Sequence, residues 1–278
     1  MNKKSLLALA AVTAITFVFA APSFAADAGH PQPPRLKWTF SGPFGKFDKA
    51  QLQRGFKVYR EVCAACHSMK LIAFRTLGQP GALGFSEGQI KALAADYQVT
   101  DGPNDRGEMF QRAGRPSDYF PPVFPNEQAA RATHNGAYPV DLSVIAKART
   151  FEVGFPGFVI DVFRQYQENG VDYLHALLTG YENPPSNEKL PATQFWNKYF
   201  PGHKISMRPP LEDKRVEYSD GSPQTVDQSA RAVTAFLIWA AEPHLESRKR
   251  VGFQAMIFLI VFAGLAYFTK KKIWADAH

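Results

Sequence analysis

Cys63-Ala64-Ala65-Cys66-His67 constrains this chain more than any other segment, because it holds both of the protein's cysteines and follows them directly with a histidine. Two thiols three positions apart share one helical turn. Each can add to a vinyl group of haem, and the next residue is then held beneath the iron as its proximal ligand. Cys63, Cys66 and His67 are therefore the candidate residues for attaching one covalent haem c, with His67 as an iron ligand. A structural zinc site normally needs four protein ligands, and there is no second cysteine pair to supply them. A thioredoxin-like redox pair belongs with a βαβ pattern, which the sequence lacks.

The two ends of the chain carry targeting signals. Lys3 and Lys4 precede an apolar stretch from Leu6 to about Ala21, and Pro22-Ser23-Phe24-Ala25 supplies the small residues read by a signal peptidase. Residues 1–25 read as a cleaved signal peptide. Export suits covalent haem attachment, and no further cysteine remains to form a disulfide. Near the other end, Val251 to Thr269 is almost wholly apolar, and 19 helical residues at about 1.5 Å each match a hydrocarbon core about 30 Å thick. Arg248-Lys249-Arg250 and Lys270-Lys271-Lys272 bracket it, so basic charge alone sets no orientation. The signal peptide sets it: residues 26–250 form an exported domain, 251–269 a transmembrane helix and 270–278 a cytoplasmic tail. In a bacterium this places the domain on the periplasmic side of the inner membrane.

The formal charge of +7 does not mark a nucleic-acid binder. Of 32 basic residues, two lie in the leader and six flank the anchor, while Asp276 lies beyond it; apart from the Arg248-Lys249-Arg250 flank, the exported part keeps 24 of each sign. It is neutral, and the high pI belongs to targeting and anchoring. About 220 exported residues suffice for one larger domain or for a haem core with long insertions.

Capping chemistry marks three helix starts at Asp48, Ser86 and Thr225, each with a glutamine three residues on. The first helix carries Leu52, Phe56, Tyr59 and Val62 on one face and runs directly into Cys63. The third carries Ala232, Val233, Phe236, Leu237 and Ala240 and ends near Pro243. Val171–Leu178 reads as a short helix stopped by Gly180 at its C′ position. Asp101-Gly102-Pro103-Asn104, Phe120-Pro121-Pro122-Val123-Phe124-Pro125 and Asn183-Pro184-Pro185 are turn or extended segments. No alternating run is long enough to suggest a sheet. The expectation is a mainly α fold with long Pro/Gly-rich loops and one carboxy-terminal membrane helix.

The iron's other axial position is open, or filled by Met or a second His. Met1 leaves with the leader, Met69 is too close to His67, and Met256 lies in the anchor; Met109 and Met207 remain. Met207 stands before Pro209-Pro210, which stiffen the strap that must hold a thioether over iron, and this favours it. His203, four residues upstream, is the competing ligand, and otherwise reads as an exposed loop histidine.

An ordered series of short motifs extends this reading. Arg54-Gly55-Phe56-Lys57-Val58-Tyr59, Tyr119-Phe120-Pro121, Ala129-Ala130-Arg131-Ala132, Asn135-Gly136-Ala137, Pro139-Val140-Asp141-Leu142-Ser143, Leu178-Thr179-Gly180-Tyr181, Met207-Arg208-Pro209-Pro210 and Trp239-Ala240-Ala241-Glu242-Pro243 all resemble the cytochrome c1 family. The similarity runs from about Phe47 to Trp274. It implies a class I c-type cytochrome core, Met207 as sixth ligand, Arg131 paired with a haem propionate, and Pro139 packed near the haem beside His67. It also implies that the helix around Gly55 crosses the one around Phe236. Two features depart from the family: Val144 stands where many relatives have a tyrosine, and the cysteine pair that braces the methionine loop in some bacterial relatives is absent.

The resemblance implies an electron-transfer subunit of the quinol:cytochrome c oxidoreductase, the cytochrome bc1 complex. Its partners would be cytochrome b, a Rieske iron–sulfur protein as donor and a soluble c-type cytochrome as acceptor, within a dimeric complex. The isolated chain would have no catalytic activity of its own. A free-standing anchored cytochrome serving a terminal oxidase shares these features but predicts no association with cytochrome b. A peroxidase needs an open iron, which the Met207 strap opposes, and a mere membrane tether leaves the CxxCH unexplained. Glu182, Glu188, Glu212, Asp213, Glu217 and Asp220 are acidic docking candidates that read equally as ordinary solvated charge.

Overall fold

In a computed structural model of the chain, which describes residues 32–151, 160 and 168–275, all three capping signals start helices. The expected leader and the end of the tail lie outside the described residues. In chain order the α-helices are α1 (Lys49–Val58), α2 (Glu87–Ala95), α3 (Glu127–Thr133), α4 (Ile145–Ala148), α5 (Gly170–Thr179), α6 (Val226–Ala241) and α7 (Leu245–Ile273). Asp48 accepts from the backbone of Ala50 and Gln51, and Thr225 accepts from Gln228. The Ser86 cap is closed from both sides, with Gln89 accepting from the Ser86 backbone at 2.9 Å. Each such cap satisfies amides that the first helical turn leaves unpaired, and is typically worth about 1 kcal/mol.

The core is built where α1 crosses α6. Leu52, Phe56 and Tyr59 on α1 and its continuation are buried as their spacing requires, and Phe236 on α6 meets Phe56 edge-on at 5.5 Å. A Cβ on Gly55 would overlap the Ala232 carbonyl oxygen and approach the Phe236 Cβ to 2.7 Å, so only glycine lets the two backbones come this close. The α6 helix is buried almost all round from Ser229 to Ala240, because α4 and α5 pack against it as well. Phe74, Phe120 and Tyr97 extend the aromatic core from the other side of α1.

Two sequence expectations need correction. The described residues contain two small antiparallel pairs, β1 (Gln98–Asp101) with β2 (Phe110–Ala113) and β3 (Phe195–Trp196) with β4 (Lys204–Ile205). Their strands are too short, and lie too far out in solvent, to carry an alternating apolar pattern. Gly180 does end α5, but as its C-cap residue, one place before C′, with a φ of −94°. Its lack of a side chain matters for space: a Cβ would sit 2.6 Å from both the Ala176 oxygen and the Tyr199 ring.

The segment before α1 is tied into this core. Asp172 on α5 accepts from the Trp38 indole at 2.8 Å and from the Leu36 backbone at 3.1 Å. One turn on, His175 is buried with Nε2 2.9 Å from Asp227 at the start of α6. Farther on, the 29 residues of α7 span about 43 Å, and the whole Val251–Thr269 run lies within them with its side chains outward. It is one helix long and apolar enough to cross a membrane.

Two measurements test this packing. Gly55→Val should destabilise the fold by at least about 1–3 kcal/mol in chemical denaturation, the usual cost of overpacking. Burial pushes the His175 pKa below its ordinary value, which Asp227 only partly offsets. The unfolded chain therefore binds this proton first as pH falls below about 6.5, and stability drops from there down through the folded pKa. His175→Phe should reduce that slope between pH 7 and 5.

Candidate haem site

The helix carrying the cysteines widens as it reaches them. After Val58 the chain enters a π turn, Tyr59–Cys63, in which the Ala64 amide bonds to the Tyr59 carbonyl at 2.8 Å. Cys66 and His67 then donate their amides to the Cys63 carbonyl at 3.1 and 2.9 Å. One backbone oxygen thus holds both cysteines and the histidine in a single turn. Cys63 and Cys66 are free, partly buried thiols. Burial, then the neighbouring Cys66, pushes the Cys63 thiol up to about 12.

His67 is oriented from across the fold. Its Nδ1 lies 2.7 Å from the Val140 carbonyl oxygen. A carbonyl only accepts, so Nδ1 carries the proton and Nε2 keeps a free lone pair, as a metal ligand requires. Burial also lowers the His67 pKa, which keeps the ring neutral.

Val140 is placed by a lace between residues 67–71 and 139–143. Leu142 donates to the Ser68 carbonyl at 2.9 Å, Lys70 to the Asp141 carboxylate at 3.0 Å, and Leu71 to the Ser143 hydroxyl at 3.1 Å. The Asp141 and Ser143 side chains therefore accept from backbone amides and set the His67 contact. Sequence reading saw this Asp-Leu-Ser run only as a motif, although short acceptors that bond nearby amides were the available signal.

The remaining candidates fall in three places. Met207 is half-buried two residues beyond β4, and its carbonyl accepts from the Tyr181 hydroxyl at 3.1 Å. Burial holds the Tyr181 phenol well above its usual pKa, so it remains a donor. This bond braces the strap in addition to its prolines. Met109 is exposed just ahead of β2. His203 is half-buried rather than exposed: it stacks on Trp196 at 4.8 Å, with its Nδ1 3.2 Å from the Asn197 carbonyl. Pro139 is half-buried next to Val140. Arg131, on the last turn of α3, is exposed; its guanidinium reaches Glu127 at 2.7 Å and the Gly136 carbonyl at 2.8 Å. Among the acidic docking candidates, Glu188 pairs with Lys204, Asp220 pairs with Arg54, and Asp213 accepts from the Val226 amide at the start of α6.

The residues at this site fit a haem c. Both thiols face the same turn as a neutral histidine whose ligating nitrogen is free. Leu71, Tyr138, Val140 and Val144, on the laced segments and beside them, leave apolar side chains exposed, as a flat apolar group would need. His134 lies near enough to His67 to oppose its protonation, and its Nε2 is buried without a partner, a polar atom suited to an acidic substituent. A zinc reading gains no support: among the described residues no group of three or more His, Cys, Asp or Glu side chains is placed to hold a metal ion.

A sequence profile described as the Cytochrome C1 family matches residues 38–277. The chain belongs to the cytochrome c1 family. A Cytochrome c1 from Blastochloris viridis is 50% identical over 271 residues, covering 96% of each chain. A Cytochrome b/c1 from Bradyrhizobium diazoefficiens is 58% identical over 254 residues; these are 91% of this chain but only 37% of that longer relative. A mitochondrial heme protein from Arabidopsis thaliana, Cytochrome c1 1, is 44% identical over 241 residues, 86% of this chain and 71% of the relative. The match begins at Trp38, the residue whose indole is held by Asp172, and extends beyond α7.

Covalent attachment is tested directly. Acidic acetone should leave the haem on the wild-type chain, whereas replacing Cys63 and Cys66 together with Ala should leave no covalently stained band on a denaturing gel.

Proposed function

We propose that the chain is the haem c subunit of a cytochrome bc1 complex, taking electrons from a Rieske iron–sulfur protein and passing them to a soluble c-type cytochrome. The His67–Val140 contact carries this reading, because it readies one ring nitrogen for iron directly beside two thiols that can hold the porphyrin. Family membership across residues 38–277 supports the assignment to this redox complex rather than to an unrelated anchored cytochrome. The name of the Bradyrhizobium relative, which joins b and c1 in one protein, supports cytochrome b as a partner.

In this reading Cys63 and Cys66 would attach the haem, and His67 Nε2 and the Met207 thioether would ligate its iron. When bound, the haem supplies a one-electron iron couple, and Met ligation favours a higher potential. With His67 and Met207 as its ligands, the iron would be left no position for substrate. The chain's task is then to position the haem and set its potential, while catalysis belongs to the assembly. Pro139 would pack beside the haem, and Arg131, which here reaches Glu127, would pair with a propionate, which its planar fork suits. Residues 26–250 lie on the periplasmic side, residues 251–269 cross the inner membrane, and the Lys-rich tail is cytoplasmic, in a dimeric complex.

Met207→Leu keeps the side-chain volume and removes the sulfur. The covalent haem and the fold should survive, the haem potential should fall, and quinol-to-cytochrome c turnover should drop at least about tenfold. If Met207→Leu keeps the wild-type spectrum and potential while His203→Ala loses both, the second ligand is His203. Purification in mild detergent should bring down cytochrome b with the chain; its absence would favour the free-standing cytochrome.

A further inference from the structure

The loop before α1 meets the membrane helix at a defined level. The Phe47 amide donates to Glu246 at 2.9 Å, and Lys249 donates to the carbonyls of Phe40 at 2.6 Å and Gly45 at 3.3 Å. One turn of α7 thus clamps both sides of the 41–46 loop. Inside it a tight turn closes from Gly45 to Gly42 at 3.4 Å and lifts Phe44 to the tip. Phe44 is 72% exposed, while Phe40 and Phe47 on either side are buried.

The Phe44 ring rests edge-on against Phe253, with ring centroids 5.6 Å apart. Phe253 is the third residue of the apolar run, only about 3 Å along the helix axis past its start at Val251. An aromatic ring at that height falls within the boundary between headgroups and acyl chains, where buried apolar side chains of surface-bound segments lie about 5–10 Å deep. The charges fit the same level. Lys46 is exposed on the loop and Arg250 is exposed on α7 just above the run, both suited to anionic lipid headgroups.

We propose that the Phe44 loop is a second membrane contact, inserting its tip into the outer lipid interface beside α7. Two points of attachment, one spanning and one interfacial, restrict the tilt and rotation of the haem domain about its anchor. The proposal rests on α7 spanning the bilayer, so the test reads that separately.

Single nitroxide labels are placed through Phe44→Cys, Phe262→Cys in mid-run, and Asp105→Cys on the exposed β1–β2 hairpin. The full haem-bearing chain is reconstituted in vesicles of phosphatidylcholine and phosphatidylglycerol. Both native cysteines are consumed by the haem, so each variant carries one free thiol, and the haem spectrum checks folding. Collision of each label with oxygen, which enriches in lipid, is compared with collision with an aqueous nickel chelate. Phe44 should show an oxygen preference between those of the Asp105 and Phe262 positions. An Asp105-like value at 44 with a lipid value at 262 overturns the loop contact alone. Shielding of 44 from both reagents also overturns it, in favour of a protein neighbour such as a second copy. An aqueous value at 262 removes the anchor and the proposal together.

Discussion

The close crossing of α1 and α6 at Gly55 is the constraint on which the rest of the structure depends. The α1 helix delivers Cys63 at its end, and α6 is the buried element against which α1, α4 and α5 all pack. With the two backbones in contact at Ala232, the Phe56, Tyr59 and Phe236 rings fit together in the space that remains. The attachment turn therefore starts from the most buried part of the molecule, and its own thiols remain partly buried. A rigid support of this kind keeps reacting groups within a narrow geometry when the loops around them are long.

The His67 side of the site is held by different means. It uses no regular secondary structure, only a lace of backbone amides onto Ser68, Asp141 and Ser143. Such local acceptors let two irregular segments run beside each other with their polar groups satisfied. The Val140 carbonyl is aimed at the ring as a result. Elsewhere, the Tyr181 hydroxyl and the Trp196–His203 stack hold the Met207 segment.

Much of this was legible in the sequence, where the physics is local. Caps at Asp48, Ser86 and Thr225 depend on residues three apart, and the α1 and α6 faces on helical spacing, so both survived folding unchanged. The CxxCH turn was likewise visible, whereas the Gly55 crossing followed only from the family resemblance. What escaped involves partners far apart in the chain or strands too brief to leave a pattern. The Val140–His67 contact joins residues 73 positions apart, and nothing in either segment names the other. The Trp196 stack on His203 depends on a two-residue strand pair. Gly180 was read correctly as a helix stop but for another reason, since the demand came from the Tyr199 ring and not from its own backbone angle.

The π turn at Tyr59–Cys63 has a consequence for how this chain tolerates change. It accommodates one residue more than an α-helical turn of the same length. Deleting a single residue there would restore a regular helix, and the loss would cost little as local structure. In a regular helix one residue more or less swings everything beyond it by about 100° around the axis. The wide turn takes up the extra residue instead, so Cys66 and His67 would still face Val140 after the deletion. The turn between Gly55 and Cys63 is thus a place where the chain can absorb a length change of one residue without re-aiming the motif.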